Sequence, residues 1–174
     1  MSPSKQELMN KAFEIAKKNE FDNGNCAQSV FAGVCDALGI SNDDVFRAAT
    51  GFADGVGLTG DGHCGALSGG VMAISYIFGR QRADFSRRGK QLKALALARQ
   101  LQNRFKEKYG TCRCHDLQTK FFGRFFNLLD PADMEAATKS GVPETCSNLV
   151  GEIASMTTQI ILEQQEKDAA KNSP

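Results

Sequence analysis

The sequence predicts an all-α fold, a single-domain irregular bundle of about six to eight helices. Strand signals are nearly absent, because no segment alternates apolar and polar residues for long. Helix signals are plentiful, in the form of capping residues and apolar stripes at spacings of three and four. A length of 174 residues fits one domain with a tail. We therefore expect a helical domain over residues 1–165 and a frayed polar tail over 166–174.

Each predicted helix begins at a cap or a chain break. Ser4 to Glu7 have the S/T-x-x-E pattern of a capping box, and Asn25 follows a break and can cap the second helix. Pro131 follows Asp130 and stands where proline is preferred, at the first helical position. The predicted spans in chain order are 4–19, 26–38, 41–51, 65–78, 84–108, a short helix after 114, a helix opening at 130–131, and a last helix from 143 to about 165.

Charge and hydropathy argue against two classes of protein. The net charge is +1 and the acidic and basic residues are interleaved, so no concentrated basic surface for nucleic acid is expected. The most apolar stretch, residues 67–78, is shorter than the roughly 20 residues of a membrane span, and the N-terminal segment lacks the apolar region of a secretory signal. We therefore expect a cytoplasmic protein that binds neither nucleic acid nor a membrane, with mostly reduced cysteines.

Four dispersed cysteines stand at or near predicted helix starts: Cys26, Cys64, Cys114 and Cys146. A helix start offers unpaired N–H groups and partial positive charge, which favour a thiolate. Cys26, Cys64 and Cys146 also begin apolar stripes, so these three face the core. If the helix starts gather at one end of the bundle, the sulfur atoms converge on one redox-active site. Cys35, in mid-helix, is expected to be a small core residue.

A glycine-rich stretch, residues 51–62, leads into Cys64. It contains Gly55-x-Gly57-x-x-Gly60, formally a dinucleotide-binding fingerprint, but no strand precedes it, so the mechanism behind that motif is missing. We expect instead a backbone that approaches a cofactor or substrate closely, with a plain surface loop as the alternative. The glycines assigned to cofactor binding are Gly60, Gly62, Gly65 and Gly69.

The two histidines each adjoin a cysteine, as His63-Cys64 and Cys114-His115. Either histidine could lower the pKa of a thiol, accept a proton or ligate a metal, and an ordinary polar loop residue is the alternative. His63 is accordingly a candidate catalytic partner of Cys64.

Four phenylalanines cluster between Phe121 and Phe126. Core packing is the default interpretation of such a cluster. The sharper alternative is a homodimer or partner surface formed by this region.

These residues resemble a bacterial and archaeal family of redox-active proteins named for its cysteines, C_GCAxxG_C_C. The central Cys-Gly-Ala-x-x-Gly motif corresponds to residues 64–69, and the first family cysteine to Cys26. The resemblance implies Cys114, in a Cys-x-x-Leu pattern, as the third cysteine and Cys146 as the fourth. Cys112 departs from the family pattern as an additional thiol that could substitute for Cys114. The resemblance covers roughly residues 8–165. The non-haem part of split-Soret cytochromes c is similar more loosely, and that similarity implies an iron–sulfur centre.

Three functions remain open at this point. The favoured one is an iron–sulfur cluster held by four thiolates from Cys26, Cys64, Cys114 and Cys146, used with an unknown partner in electron transfer or redox sensing. The second is a thiol–disulfide redox protein in which Cys64 is the attacking thiolate. The third is a non-redox module with a zinc site or a small-ligand pocket beside the glycine-rich stretch.

Overall fold

The computed structural model describes residues 3–172 and confirms the predicted fold class. Eight α-helices and no β-strand are found in that range. The helices are α1 (Lys5–Asn23), α2 (Cys26–Leu38), α3 (Asp43–Ala48), α4 (Gly65–Phe78), α5 (Leu92–Tyr109), α6 (Cys114–Phe122), α7 (Pro131–Lys139) and α8 (Val142–Asn172). None of these helices is both long enough and apolar enough to cross a membrane.

The helix starts follow the capping chemistry of the sequence. The Ser4 hydroxyl accepts a hydrogen bond from the Glu7 amide, and the Glu7 carboxylate accepts one from the Ser4 amide, which completes the capping box of α1. Asn25 accepts from the Gln28 amide at the start of α2. Asp130 accepts from two amides in the first turn of α7. Each bond satisfies an amide that the helix itself leaves unpaired.

The largest differences from the predicted spans are at α5 and α8, while α1 runs to Asn23 instead of residue 19 and α3 is shorter than predicted. The helix predicted over 84–108 begins only at Leu92, and the residues before it form 3-10 turns at Arg82–Asp84 and Arg88–Gln91. The reason is that Gly89 disfavours helix and this exposed segment gains little from burial. In contrast, α8 continues through Asn172, so residues 166–172 of the predicted tail are helical, while 173–174 lie outside the described residues. An ion pair of 2.7 Å between Lys93 and Asp168 joins this end of α8 to α5.

The apolar residues form two clusters of unequal size. The larger cluster fills the space between α1, α2, α4, α5 and α8 and includes the fully buried Phe31, Phe105 and Ile153. The smaller cluster contains Phe126, Ala137 and Val142 and joins α7 and the segment after α6 to the start of α8. Between the two clusters the packing leaves a cavity.

Candidate functional site

A cavity of about 280 Å³ lies where the starts of α2, α4, α6 and α8 meet. All four cysteines singled out by the sequence line it: Cys26, Cys64, Cys114 and Cys146. Cys64 and Cys114 are buried, whereas Cys26 and Cys146 are partly exposed, and all four are free thiols. The chain therefore brings together sulfur atoms that are far apart in the sequence.

Cys26 and Cys64 are neighbours because two glycines let α2 and α4 touch. A Cβ atom on Gly65 would lie within 3 Å of the Cys26 Sγ atom, and a Cβ on Gly69 would lie within 3 Å of the Ala27 carbonyl oxygen. A side chain at either position would push the helices apart. The Cys-Gly-Ala-x-x-Gly motif thus has a packing role: its glycines place the start of α4 directly against Cys26.

Cys114 reaches the cavity through a short backbone pairing. His63 and Arg113 form an isolated antiparallel bridge. The Cys64 amide donates to the Cys112 carbonyl at 2.8 Å, and the Cys114 amide donates to the Gly62 carbonyl at 3.1 Å. These bonds hold the starts of α4 and α6 side by side. Cys112 belongs to the larger core cluster and is not in the cavity lining, whereas Cys114 lines the cavity together with Cys26, Cys64 and Cys146.

The glycine-rich stretch contains a strained left-handed segment. Residues 54–58 all have positive φ, including the non-glycine residues Asp54 (46°), Val56 (70°) and Leu58 (63°). Each non-glycine residue in this region costs about 1–2 kcal/mol. Strain of this kind persists only where the surrounding structure enforces it, and it concentrates at functional sites. Here it turns the side chain of Asp54 into the cavity.

Asp54 is joined to Cys114 by a buried polar network. The Cys114 thiol donates to Asp54 Oδ1 at 3.0 Å, and Gln118 Nε2 donates to the same oxygen at 2.6 Å. The amide oxygen of Gln118 accepts from the Phe126 amide at 3.1 Å, which fixes the orientation of the Gln118 side chain. The other carboxylate oxygen, Oδ2, is buried without a hydrogen-bond partner. Burial raises the pKa of Asp54, against the effect of both donors.

Glu20 is a second carboxylate in the cavity lining that the sequence interpretation missed. Its Oε2 atom is buried without a hydrogen-bond partner, and burial raises the pKa of the Glu20 carboxyl to about 7. A signal for its position was present: Glu20 continues the spacing of four set by the buried Ala12 and Ala16. No comparable signal existed for Asp54, because its orientation depends on the strained backbone.

Burial also decides the protonation of the thiols. It raises the pKa of Cys64 to about 12, although the amides of Ala66 and Leu67 at the start of α4 act in the opposite direction. The pKa values of Cys26, Cys114 and Cys146 rise for the same main reason, and nearby acidic groups add to the rise. The positive potential of the helix starts is therefore present at Cys64, but desolvation outweighs it.

Every ionisable group that lines the cavity is an acid. The six are Glu20, Asp54 and the four cysteines, and no lysine, arginine or histidine joins them among the lining residues. The remaining wall is apolar and includes Leu117, Phe121 and Leu149. Across residues 3–172, no three or more histidine, cysteine or acidic side chains lie close enough together to hold a metal ion. The donors instead line the perimeter of the void.

The predicted histidine and glycine residues lie outside the cavity lining. His63 is exposed, and the ring of His115 stacks on Phe125 with 5.5 Å between centroids. Gly60 packs against the Phe125 ring and Gly62 against Val56. As described above, Gly65 and Gly69 face α2. The four glycines thus act in packing around the site.

The phenylalanines of residues 121–126 pack within the chain. Phe126 is 2% exposed, Phe121 lines the cavity, and Phe122 lies between them with ring centroids about 6.0 Å from both. The default interpretation of core packing accounts for these three rings. The homodimer surface stays a prediction.

Comparison with known proteins gives one family and one relative. The family model described as "Putative redox-active protein (C_GCAxxG_C_C)" matches residues 24–160. A protein of Archaeoglobus fulgidus, named as an uncharacterized protein, is 35% identical over 99 residues, which cover 53% of this chain and 64% of the relative. The chain thus spans a little under two thirds of that relative's length. No solved structure matches.

Proposed function

The chain belongs to the C_GCAxxG_C_C family, and from that membership we propose a redox protein whose cavity holds an iron–sulfur cluster for electron transfer or redox sensing. Cys26, Cys64, Cys114 and Cys146 would supply the thiolate ligands. Four cysteine ligands are the usual complement of such a cluster.

The observation that carries the proposal is the charge character of the cavity. Its six acidic groups face one another in an apolar setting with no basic side chain among them. These groups can ionise together in such a setting only when a cation compensates their charge. Thiolate-rich donor sets select soft metals and iron–sulfur clusters. The void of about 280 Å³ greatly exceeds the roughly 10–15 Å³ that one water molecule needs, so it leaves room for a polynuclear group.

The chain's own residues would tune such a group. The amides of Ala66 and Leu67 favour negative charge on Cys64, and the Asp54 amide favours it on Cys26. Amides that face cluster sulfurs shift the reduction potential, and apolar walls such as Leu117 and Phe121 limit the access of water. When bound, the cluster supplies one-electron transfer.

The thiol–disulfide alternative meets a physical difficulty at Cys64. An attacking cysteine must be a thiolate near neutral pH, whereas burial raises the pKa of Cys64 to about 12. Alkylation of the metal-free protein by iodoacetamide as a function of pH tests this alternative. A cavity thiol that reacts readily below pH 8 would favour it over the cluster.

The cluster proposal is tested by anaerobic purification followed by iron and sulfide analysis and optical spectroscopy. We expect a brown protein that contains both iron and sulfide. Cys114→Ser should lose most of both, because Cys114 faces the cavity, whereas Cys112→Ser should retain them. Cys35→Ser is a further control, since Cys35 is a buried core residue away from the cavity.

Two results would overturn the proposal. The first is a colourless wild-type protein without iron and sulfide after anaerobic purification. The second is equal retention of the cluster in all three variants, provided that circular dichroism shows all of them to be folded. Stoichiometric zinc in place of iron would select the third function predicted from the sequence.

A further inference from the structure

Asp54 lies beside the cysteines in an environment that is unfavourable for a carboxylate. It is 9% exposed, and its Oδ2 atom is buried without a hydrogen-bond partner although Asp54 lines the cavity. A buried carboxylate oxygen without a partner is costly, and its presence in a native site needs a reason. The left-handed backbone at residue 54 adds to that cost.

The two carboxylate oxygens of Asp54 differ in their partners. The Oδ1 atom of Asp54 lies 3.0 Å from the Sγ atom of Cys114. At that separation the Cys114 thiol donates a hydrogen bond to Oδ1, whereas Oδ2 has no partner and is the oxygen available to a metal ion.

Gln118 holds the side chains of Asp54 and Cys114 in this arrangement. Its Nε2 atom is 2.6 Å from Asp54 Oδ1 and 3.7 Å from Cys114 Sγ, and Gln118 itself is 3% exposed. Its amide oxygen is fixed by the Phe126 amide. Hydrogen-bonding partners that orient ligands in this way are typical of metal sites.

We propose that Asp54 is a carboxylate ligand of the metal centre, bound through its Oδ2 atom. This inference rests on the proposed cluster and extends its donor set beyond four thiolates. On binding, the Cys114 thiol and the Asp54 carboxyl would release their protons to solvent, and the metal centre would become the partner of Asp54 Oδ2. No oxidant or reductant is consumed in this exchange.

The test is ⁵⁷Fe Mössbauer spectroscopy of protein purified anaerobically with its cluster. The variants are Asp54→Asn, which keeps the shape of the side chain, and Asp61→Asn as a matched control. Asp61 lies in the same glycine-rich stretch but is exposed and paired with Arg113. We expect one iron site with a larger isomer shift and quadrupole splitting in wild type and in Asp61→Asn, and its loss in Asp54→Asn.

A second measurement covers the case in which Asp54→Asn loses its iron or fails to fold. Wild-type protein labelled with ¹³C at the aspartate carboxyl groups should show a ¹³C hyperfine coupling to the reduced cluster, because Asp54 is the aspartate in the cavity lining. Identical Mössbauer spectra in wild type and Asp54→Asn, or no ¹³C coupling, would overturn the inference while leaving the cluster proposal intact. Wild-type protein without iron and sulfide would overturn both.

Discussion

The cavity has two walls that are built in different ways. The inner wall is the contact between α2 and α4, where Gly65 and Gly69 bring one backbone against the other. The outer wall is formed by residues 121–141, which are held to α8 by the small cluster around Phe126 and Val142. The inner wall belongs to the main core, whereas α7 in the outer wall packs chiefly on α8.

This difference indicates which side of the cavity can open. Backbone contacts such as those of the inner wall leave no room for adjustment, because close-packed interiors resist small displacements. Helix α7 of the outer wall is short and has few buried residues, which is typical of elements that open at low free energy. Met134 of the outer wall lines the cavity and is 52% exposed. We therefore expect a cofactor to enter the cavity past α7.

The largest expected effect comes from filling the inner wall. Gly69→Ala would place a Cβ against the Ala27 carbonyl, so we expect the free energy of unfolding to fall by about 3 kcal/mol. Gly89→Ala is the matched control, because a Cβ there meets nothing within 4 Å, and it should change stability by less than about 0.5 kcal/mol. Urea denaturation of the metal-free proteins measures both. Equal stability of the two variants would show that the helices can separate without cost.

The next effect is the pH dependence of stability that Glu20, on α1 in the cavity lining, should cause. Its pKa is about 7 in the folded chain and 4.5 as the ordinary value, so between these pH values the folded state binds more protons than the unfolded state. The free energy of unfolding of the metal-free protein should therefore fall as pH rises from 4.5 to 7. We expect a fall of about 2 kcal/mol from this group, since partial solvent access reduces the full effect of its shift.

Substitution of Glu20 separates its contribution to the pH dependence of stability from the contributions of other groups. Glu20→Gln should remove it and make the metal-free protein more stable than wild type at pH 8, with a smaller slope left by Asp54. Glu14→Gln, at an exposed position on the same helix, is the control and should leave the wild-type slope unchanged. Thermal unfolding at several pH values measures the slopes. An unaltered slope in Glu20→Gln would contradict the assignment.

The smallest effect concerns the outer wall. Phe126→Leu removes part of a buried ring, and we expect a loss of about 1 kcal/mol in global stability, because the small cluster can adjust around it. Hydrogen exchange should show the change locally, with faster exchange in α6 and α7 and unaltered exchange in α2 and α4. If all four helices respond equally, the walls do not open separately and the comparison between them fails.

Sequence patterns predicted the scaffold of the site better than its polar interior. The starts of α2 and α4 at Cys26 and Gly65 agree with the predicted spans, because caps and apolar spacing are local properties of the chain. The late start of α5 at Leu92 was not predicted, because no local sequence pattern shows that the preceding 3-10 turns bury little apolar surface. The contact of Gly69 with Ala27 depends on which helices meet, and periodicity does not specify that.

The acidic interior was harder to predict. Glu20 stands on a stripe of small buried residues, so its position could have been predicted from spacing alone. Gln118 lies one turn after Cys114 on α6, so helical spacing alone brings these two together. Asp54 meets Cys114 only through the bridge between His63 and Arg113 and the left-handed backbone, and helical periodicity predicts neither feature.

The bridge between His63 and Arg113 also has a consequence for how the chain acquires its site. Contacts between residues so distant in sequence form late, because the entropy of closing a long loop must be overcome first. A metal centre whose ligands are neighbours in the chain can nucleate folding, whereas the proposed centre would have no local fragment to assemble around. Occupancy of the cavity during renaturation should therefore lag behind helix formation and report the final step of the folding pathway.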